Sequence, residues 1–255
     1  MYAMLATGSC LYIGSNTNWI GNWEFSRPKI AFFSYSGGST TAATTTGKLP
    51  GYVYLGGSLA APFTANQLAR IQFDGQHASS RHKVASGGIA WSNVRGAFRV
   101  GGRVFYGRDR RDAALAVVHR GGKFGKEHDV NPYHDPQWKN VPDPNDPQHI
   151  RTYDGANPSL YGEFAAAGGY VTGMFYRSGK LYYTLAGDPN LYARWFSPDS
   201  GIVDDPVFTV QRSADFSDAG GMFASGSNLY YSTRPHGNLV RVKFSNGVVS
   251  GGPWS

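Results

Sequence analysis

Carboxylates and aromatic rings are the groups in this 255-residue chain with the clearest chemical potential. Two carboxylates held about 5 to 9.5 Å apart across an open pocket can cleave a glycosidic bond, one as acid and the other as base or nucleophile. Asp218 lies on the approach to a strand-like segment, and Glu163 lies in a connector before another. Asp188, like Asp112, stands three residues before a recurring Leu, where Asp is also a common turn residue. The positions equivalent to Asp218 hold Lys48, Asn93 and Tyr170. Such unlike polar residues suit a binding mouth better than an acid–base pair, so a non-catalytic reading is preferred to hydrolysis or lyase chemistry.

A Pro-rich stretch at 128–161 carries Tyr133, Trp138 and Tyr153, which could stack on sugar rings, and it is expected to fold over one rim as a long functional loop. His128, Asp129, His134 and Asp135 could hold a metal, and Asp143, Asn145 and Asp146 offer oxygen ligands for Ca²⁺. None of these matches a complete metal loop, so no cofactor is expected. There is no P-loop, GxGxxG fingerprint, HExxH motif or Ser/His/Asp constellation. Trp19, Trp23 and Trp91 are read as core before platform.

The formal charge of +7 is concentrated locally. Arg95, Arg99, Arg103, Arg108, Arg110 and Arg111 open a basic stretch that could meet an acidic polymer. The same cations would protect a sheet edge from pairing with another chain. No helix-turn-helix, RNP or zinc-finger pattern accompanies them, which argues against nucleic acid.

The elements that must position these groups are short. Gly and Pro together number 48, and no stretch free of both exceeds 13 residues, at 108–120 and 207–219, so long helices are excluded. The single Cys10 cannot form an internal disulfide. No run approaches 18 apolar residues, so no membrane insertion is expected.

Self-similarity organises the whole chain. MLATGSCLYIG, YVYLGGSLAAP, AFRVGGRVFYG, MFYRSGKLYYT and MFASGSNLYYS align without gaps, giving units that start near 3, 51, 96, 173 and 221. Each reads as a hairpin whose turn is a Gly/Ser pair, because a two-residue turn needs positive φ. A third strand begins at Ile30, Leu68, Leu115, Leu191 and Leu239, and a fourth is visible in SGIVDDPVFTV and NGVVSGGPW. RDRRDAALAVVHR could pass alone for a helix, but its register against the other copies marks it as strand. Antiparallel units of about 45 to 48 residues point to an all-β, five-bladed β-propeller, one domain over 1–255 with a single long insertion.

The fourth and fifth units, GMFYRSGKLYYTLAGDPNLYARWFSPDSGIV and DFSDAGGMFASGSNLYYSTRPHGNLVRVKF, resemble β-propeller repeat regions of actinobacterial secreted and surface proteins. The resemblance implies an extracellular or surface-associated module beside other domains or subunits. The unit count is similar to that of five-bladed, tachylectin-type lectins, at the level of fold alone. The resulting expectation is a lectin-like recognition or assembly module for a glycan or a protein partner, with a virion or appendage component as a related reading.

Overall fold

The computed structural model describes residues 48–56, 64, 66–94, 96–100, 102–107, 123–127, 171–196, 207–234 and 236–252 in full; within 3–34, 108–120, 128–150 and 253–254, and at Arg95, it describes strand backbone only. Among these residues every regular element is a strand except one 3₁₀ turn, Trp91–Asn93. The Gly and Pro punctuation accounts for this, since no segment is long enough for a stable helix.

Five antiparallel sheets follow the five repeats. The first joins β1 (Ala3–Ala6), β2 (Cys10–Gly14) and β5 (Ile30–Ser34), with a small hairpin of β3 (Trp19–Ile20) and β4 (Phe25–Ser26) inserted. The second orders β6 (Gly51–Leu55), β7 (Leu68–Phe73) and β8 (His82–Val84). In the third, β9 (Val94–Val100), β10 (Arg103–Arg108) and β11 (Ala114–Arg120) are joined on the outside by β12 (Lys123–Phe124) and β13 (His128–Val130). A separate hairpin, β14 (Pro142–Asp143) and β15 (Asp146–Ile150), comes next. The fourth sheet runs β16 (Val171–Arg177), β17 (Lys180–Leu185), β18 (Leu191–Trp195), β19 (Phe208–Thr209), and the fifth β20 (Ala219–Ser225), β21 (Asn228–Thr233), β22 (Leu239–Ser245), β23 (Val248–Trp254).

Within 108–120, Ala114–Arg120 forms strand β11 paired with β10, as its alignment requires. The insertion is more ordered than a long loop: β13 extends the third sheet by pairing with β11, and β14 pairs with β15. In the fourth unit Ser178 and Gly179 have φ of 50° and 80°, the positive pair of a type I′ hairpin. Leu181 to Thr184 are all buried, so β17 packs on both faces, whereas β22 alternates exposed and buried residues.

The units meet through one repeated aromatic arrangement. Phe98 and Phe105 stack within the third unit, and Phe196 of the fourth sets its edge against both at 5.1 and 5.2 Å. Phe175 and Tyr182 stack in the fourth, with Phe244 of the fifth at 5.4 and 5.1 Å. Phe223 and Tyr230 stack in the fifth, with Phe73 of the second at 6.4 and 5.6 Å. Phe73, Phe196 and Phe244 each stand five residues after the Leu that opens the third strand. Edge-to-face geometry of this kind favours the ring quadrupoles and adds to the burial. The second and third units share a core of Leu68, Ile89, Trp91 and Tyr106.

The packing therefore runs from the second unit to the third, fourth and fifth and back to the second. Among the described residues this packing is propeller-like. The side chains of the first of the five expected units, including Tyr35 in the Phe73 column, lie outside the described residues.

The second unit departs from its expected strand order. β6 was expected to be an inner strand turning at Gly56-Gly57 into a second strand from Leu59. Instead it pairs directly with β7, placing Tyr54 opposite Arg70 as Tyr230 stands opposite Arg241. β6 thus occupies the second strand's place. The segment after it contains Pro62, which has no N–H for a central ladder.

Candidate functional site

Of the residues singled out in the sequence, Asp218, Asn93, Asp188, Arg99 and Arg103 are among those described in full. Asp218 is exposed and precedes β20, where its carbonyl accepts the Arg234 amide at 2.8 Å. Asn93 is exposed at the end of the 3₁₀ turn. Lys48 sits elsewhere: the neighbouring Leu49 amide donates to the Ser225 hydroxyl at 3.1 Å, at the far end of β20 from Asp218. Those two ends are separated by roughly 20 Å of strand. The shift of β6 into the second strand's place sets Lys48 at the opposite end of β20 from Asp218, apart from the position its column predicted.

Asp188 serves as a turn brace. Its Oδ1 accepts the Asn190 amide and its Oδ2 the Tyr192 hydroxyl, both at 2.8 Å. Arg99 faces Val104 across the β9–β10 hairpin while Arg103 faces Val100, so the pleat sends these two cations to opposite sides of the sheet. The side chains of Arg95, Arg108, Arg110 and Arg111 lie outside the described residues, as do Tyr133, Trp138, Tyr153, Glu163 and Tyr170 and the proposed oxygen and histidine metal ligands in 128–146. Among the described residues no three His, Cys, Asp or Glu side chains gather as a metal site. Trp91 is core: it is 6% exposed, packs beside Tyr106 and Phe124, and donates its indole N–H to the Ser86 carbonyl at 3.0 Å.

A cleft that the sequence did not single out lies at the seam between the fifth and second units. It has a volume of about 460 Å³, within the range of small-ligand sites. From the fifth unit come Ser225, Gly226, Asn228, Tyr230 and Arg241; from the second come Leu49, Asp74, Gly75 and Gln76. It opens here because the seam is looser than its counterparts: Phe223 is half-buried, whereas Phe98 and Phe175 are buried.

The second unit's wall is a tight turn organised by Asp74. Its Oδ1 accepts the backbone N–H of Gln76 at 2.7 Å and of His77 at 2.6 Å, and its Oδ2 meets the His77 Nδ1 at 3.3 Å. These N–H groups, His77's first, hold the carboxyl down from 3.8 to about 2. Because the folded value lies below the ordinary one, the turn's contribution to stability is complete above pH 3.8 and is lost as the pH falls toward 2. Acid unfolding of Asp74→Ala is expected to lack that part of the limb, and an NMR titration placing the Asp74 carboxyl near 4 would contradict the assignment.

On the fifth unit's wall, Tyr230 and Arg241 are cross-strand partners on one face of the sheet. Asp74 and Arg241 line the same cleft without forming an ion pair with each other. Among the described residues Asp74 is the only carboxylate on the lining, and it is ionised at ordinary pH. Its amides, hydroxyls and opposite charges are equipped to hold a polar molecule.

No family model matches this sequence, and no curated protein matches it. Among solved structures it is similar to glutaminyl cyclase of Myxococcus xanthus, with 11% identity, TM-score 0.36 and coverage of 72% of this chain and 60% of that one. A putative 6-phosphogluconolactonase from Bacteroides uniformis matches at 12% identity and TM-score 0.34, covering 96% and 67% of the two chains. The PQQ-bound aldose sugar dehydrogenase of Streptomyces coelicolor matches at 9% identity and TM-score 0.27, covering 80% and 85%. The chain thus spans three fifths of the cyclase's length. At these scores the neighbours assign no activity. No helix among the described residues is long and apolar enough to cross a membrane.

Proposed function

We propose that this chain is a non-catalytic recognition module of the β-propeller class that binds glycan at the seam between its fifth and second units. The observation that carries the reading is the cleft itself: one carboxylate ionised at ordinary pH, one arginine, two amides, a serine hydroxyl and a tyrosine, with no second carboxylate among the described lining residues. Sugar hydroxyls are matched by this mixture of donors and acceptors. Hydrolysis requires a carboxyl that can carry a proton near neutral pH, and Asp74 does not. The resemblance of the fourth and fifth units to actinobacterial surface repeats supports placement of the module outside the cell, beside further domains.

A glycan array on the full chain, followed by incubation of each bound glycan, tests this reading. Binding with every glycan recovered intact is the expected result. Cleavage of a bound glycan, or the absence of binding across the array, would overturn it.

A further inference from the structure

Arg241 is the least explained group in the seam. Across the sheet it pairs with Tyr230, the position at which Ala193 pairs with Tyr182 and Ala116 with Phe105. Ala193 is 2% exposed in a closed apolar seam. The fifth unit therefore puts a long cation where two other units put a methyl group, and the cleft stands over it. Arg241 is half-buried and lines the cleft, and among the described residues no carboxylate pairs with it. An arginine fork is matched best by a planar carboxylate, which it can hold through two parallel hydrogen bonds.

We propose that the seam cleft binds an acidic sugar, a hexuronate or related saccharide carboxylate, with the carboxylate on Arg241 and ring hydroxyls on Asp74, Gln76 and Asn228. This rests on the glycan reading above and names its ligand class. A neutral sugar would leave Arg241 without its counter-charge. An amino acid would set its ammonium against Asp74, whose oxygens already accept two backbone N–H groups and face the His77 ring. A hydroxyl needs only one remaining lone pair of Asp74 Oδ2, and the Gln76 and Asn228 amides can each donate and accept.

Calorimetric titration of the full chain with methyl glucuronide and methyl glucoside reads the carboxylate's share directly. The uronate is expected to bind at least about tenfold more tightly, as a charge-assisted bidentate pair implies. Arg241→Gln is expected to remove that preference, and Asn228→Asp, which adds a second negative charge to the wall, to weaken the uronate alone. Circular dichroism of both variants shows whether each has kept its fold. Equal affinity for the two sugars, or an unchanged preference in a folded Arg241→Gln, would overturn the proposal. If glycans bind elsewhere without dependence on Arg241, the recognition reading stands and this site falls; if no glycan binds, both fall.

Discussion

Phe73→Ala is expected to destabilise the protein by about 3 to 5 kcal/mol, the range for removing a fully packed phenylalanine from a core. Phe73 is 4% exposed and is the ring by which the second unit caps the Phe223–Tyr230 stack of the fifth. Its loss removes both edge contacts and opens the seam to water. Most of the penalty comes from transfer and cavity terms, because Phe223 and Tyr230 are tied into strands and cannot collapse into the space. Chemical denaturation measures the loss, and hydrogen exchange along β7, β20 and β21 locates it. The first unit supplies the comparison: if the fifth unit were capped by Tyr35, then Tyr35→Ala would cost more than Phe73→Ala, and the packing of the second unit on the fifth would be refuted.

Gly173→Ala should be of similar severity for the opposite reason. A Cβ at Gly173 would stand 2.2 Å from the Gly220 carbonyl oxygen and 3.0 Å from two atoms of Met222. The obstructing atom is backbone in the neighbouring β20, so relief requires β16 and β20 to separate. Overpacking commonly costs about 1 to 3 kcal/mol, and a clash with backbone lies at or above the top of that range, at about 3 kcal/mol. Gly221→Ala is the control. This glycine opens the next unit, but a Cβ there meets nothing within 4 Å and its φ is not positive. Its substitution is expected to be neutral or slightly stabilising. Equal losses at the two positions would show that β16 and β20 do not approach as described.

These two cases also show how far the repeat could be read from residues alone. The third strand of each unit begins at or within one residue of the expected hydrophobic residue: Ile30, Leu68, Leu115, Leu191 and Leu239. The type I′ turn at Ser178-Gly179 and the strand at 114–120 were equally legible. All of these depend on local backbone preferences and on alignment between copies. Gly173 and Gly221 occupy the same column, yet only one is crowded, because crowding is set by a neighbour about fifty residues away. The candidate site was less legible still. Asp218 and Asn93 are exposed, Asp188 braces a turn, and Lys48 left the position its column predicted when β6 changed place in its sheet.

The seam cleft had one sequence signal, an arginine at 241 in a column that holds valine at 117 and alanine at 193. That signal is ambiguous, since Arg70 shares the column and its guanidinium lies 4.4 Å over the Tyr52 ring. By itself the sequence determined an all-β chain of antiparallel strands, the start of each third strand and the turn at Ser178-Gly179. Only the tertiary structure decided that the fifth unit packs on the second and that Asp74 and Arg241 face one cleft. The physical reason is range: hairpins are specified by residues a few positions apart, whereas the seam depends on contacts such as that of Leu49 with Ser225, 176 residues apart. No local periodicity encodes which unit becomes the neighbour; that follows from which aromatic edge fills which stack.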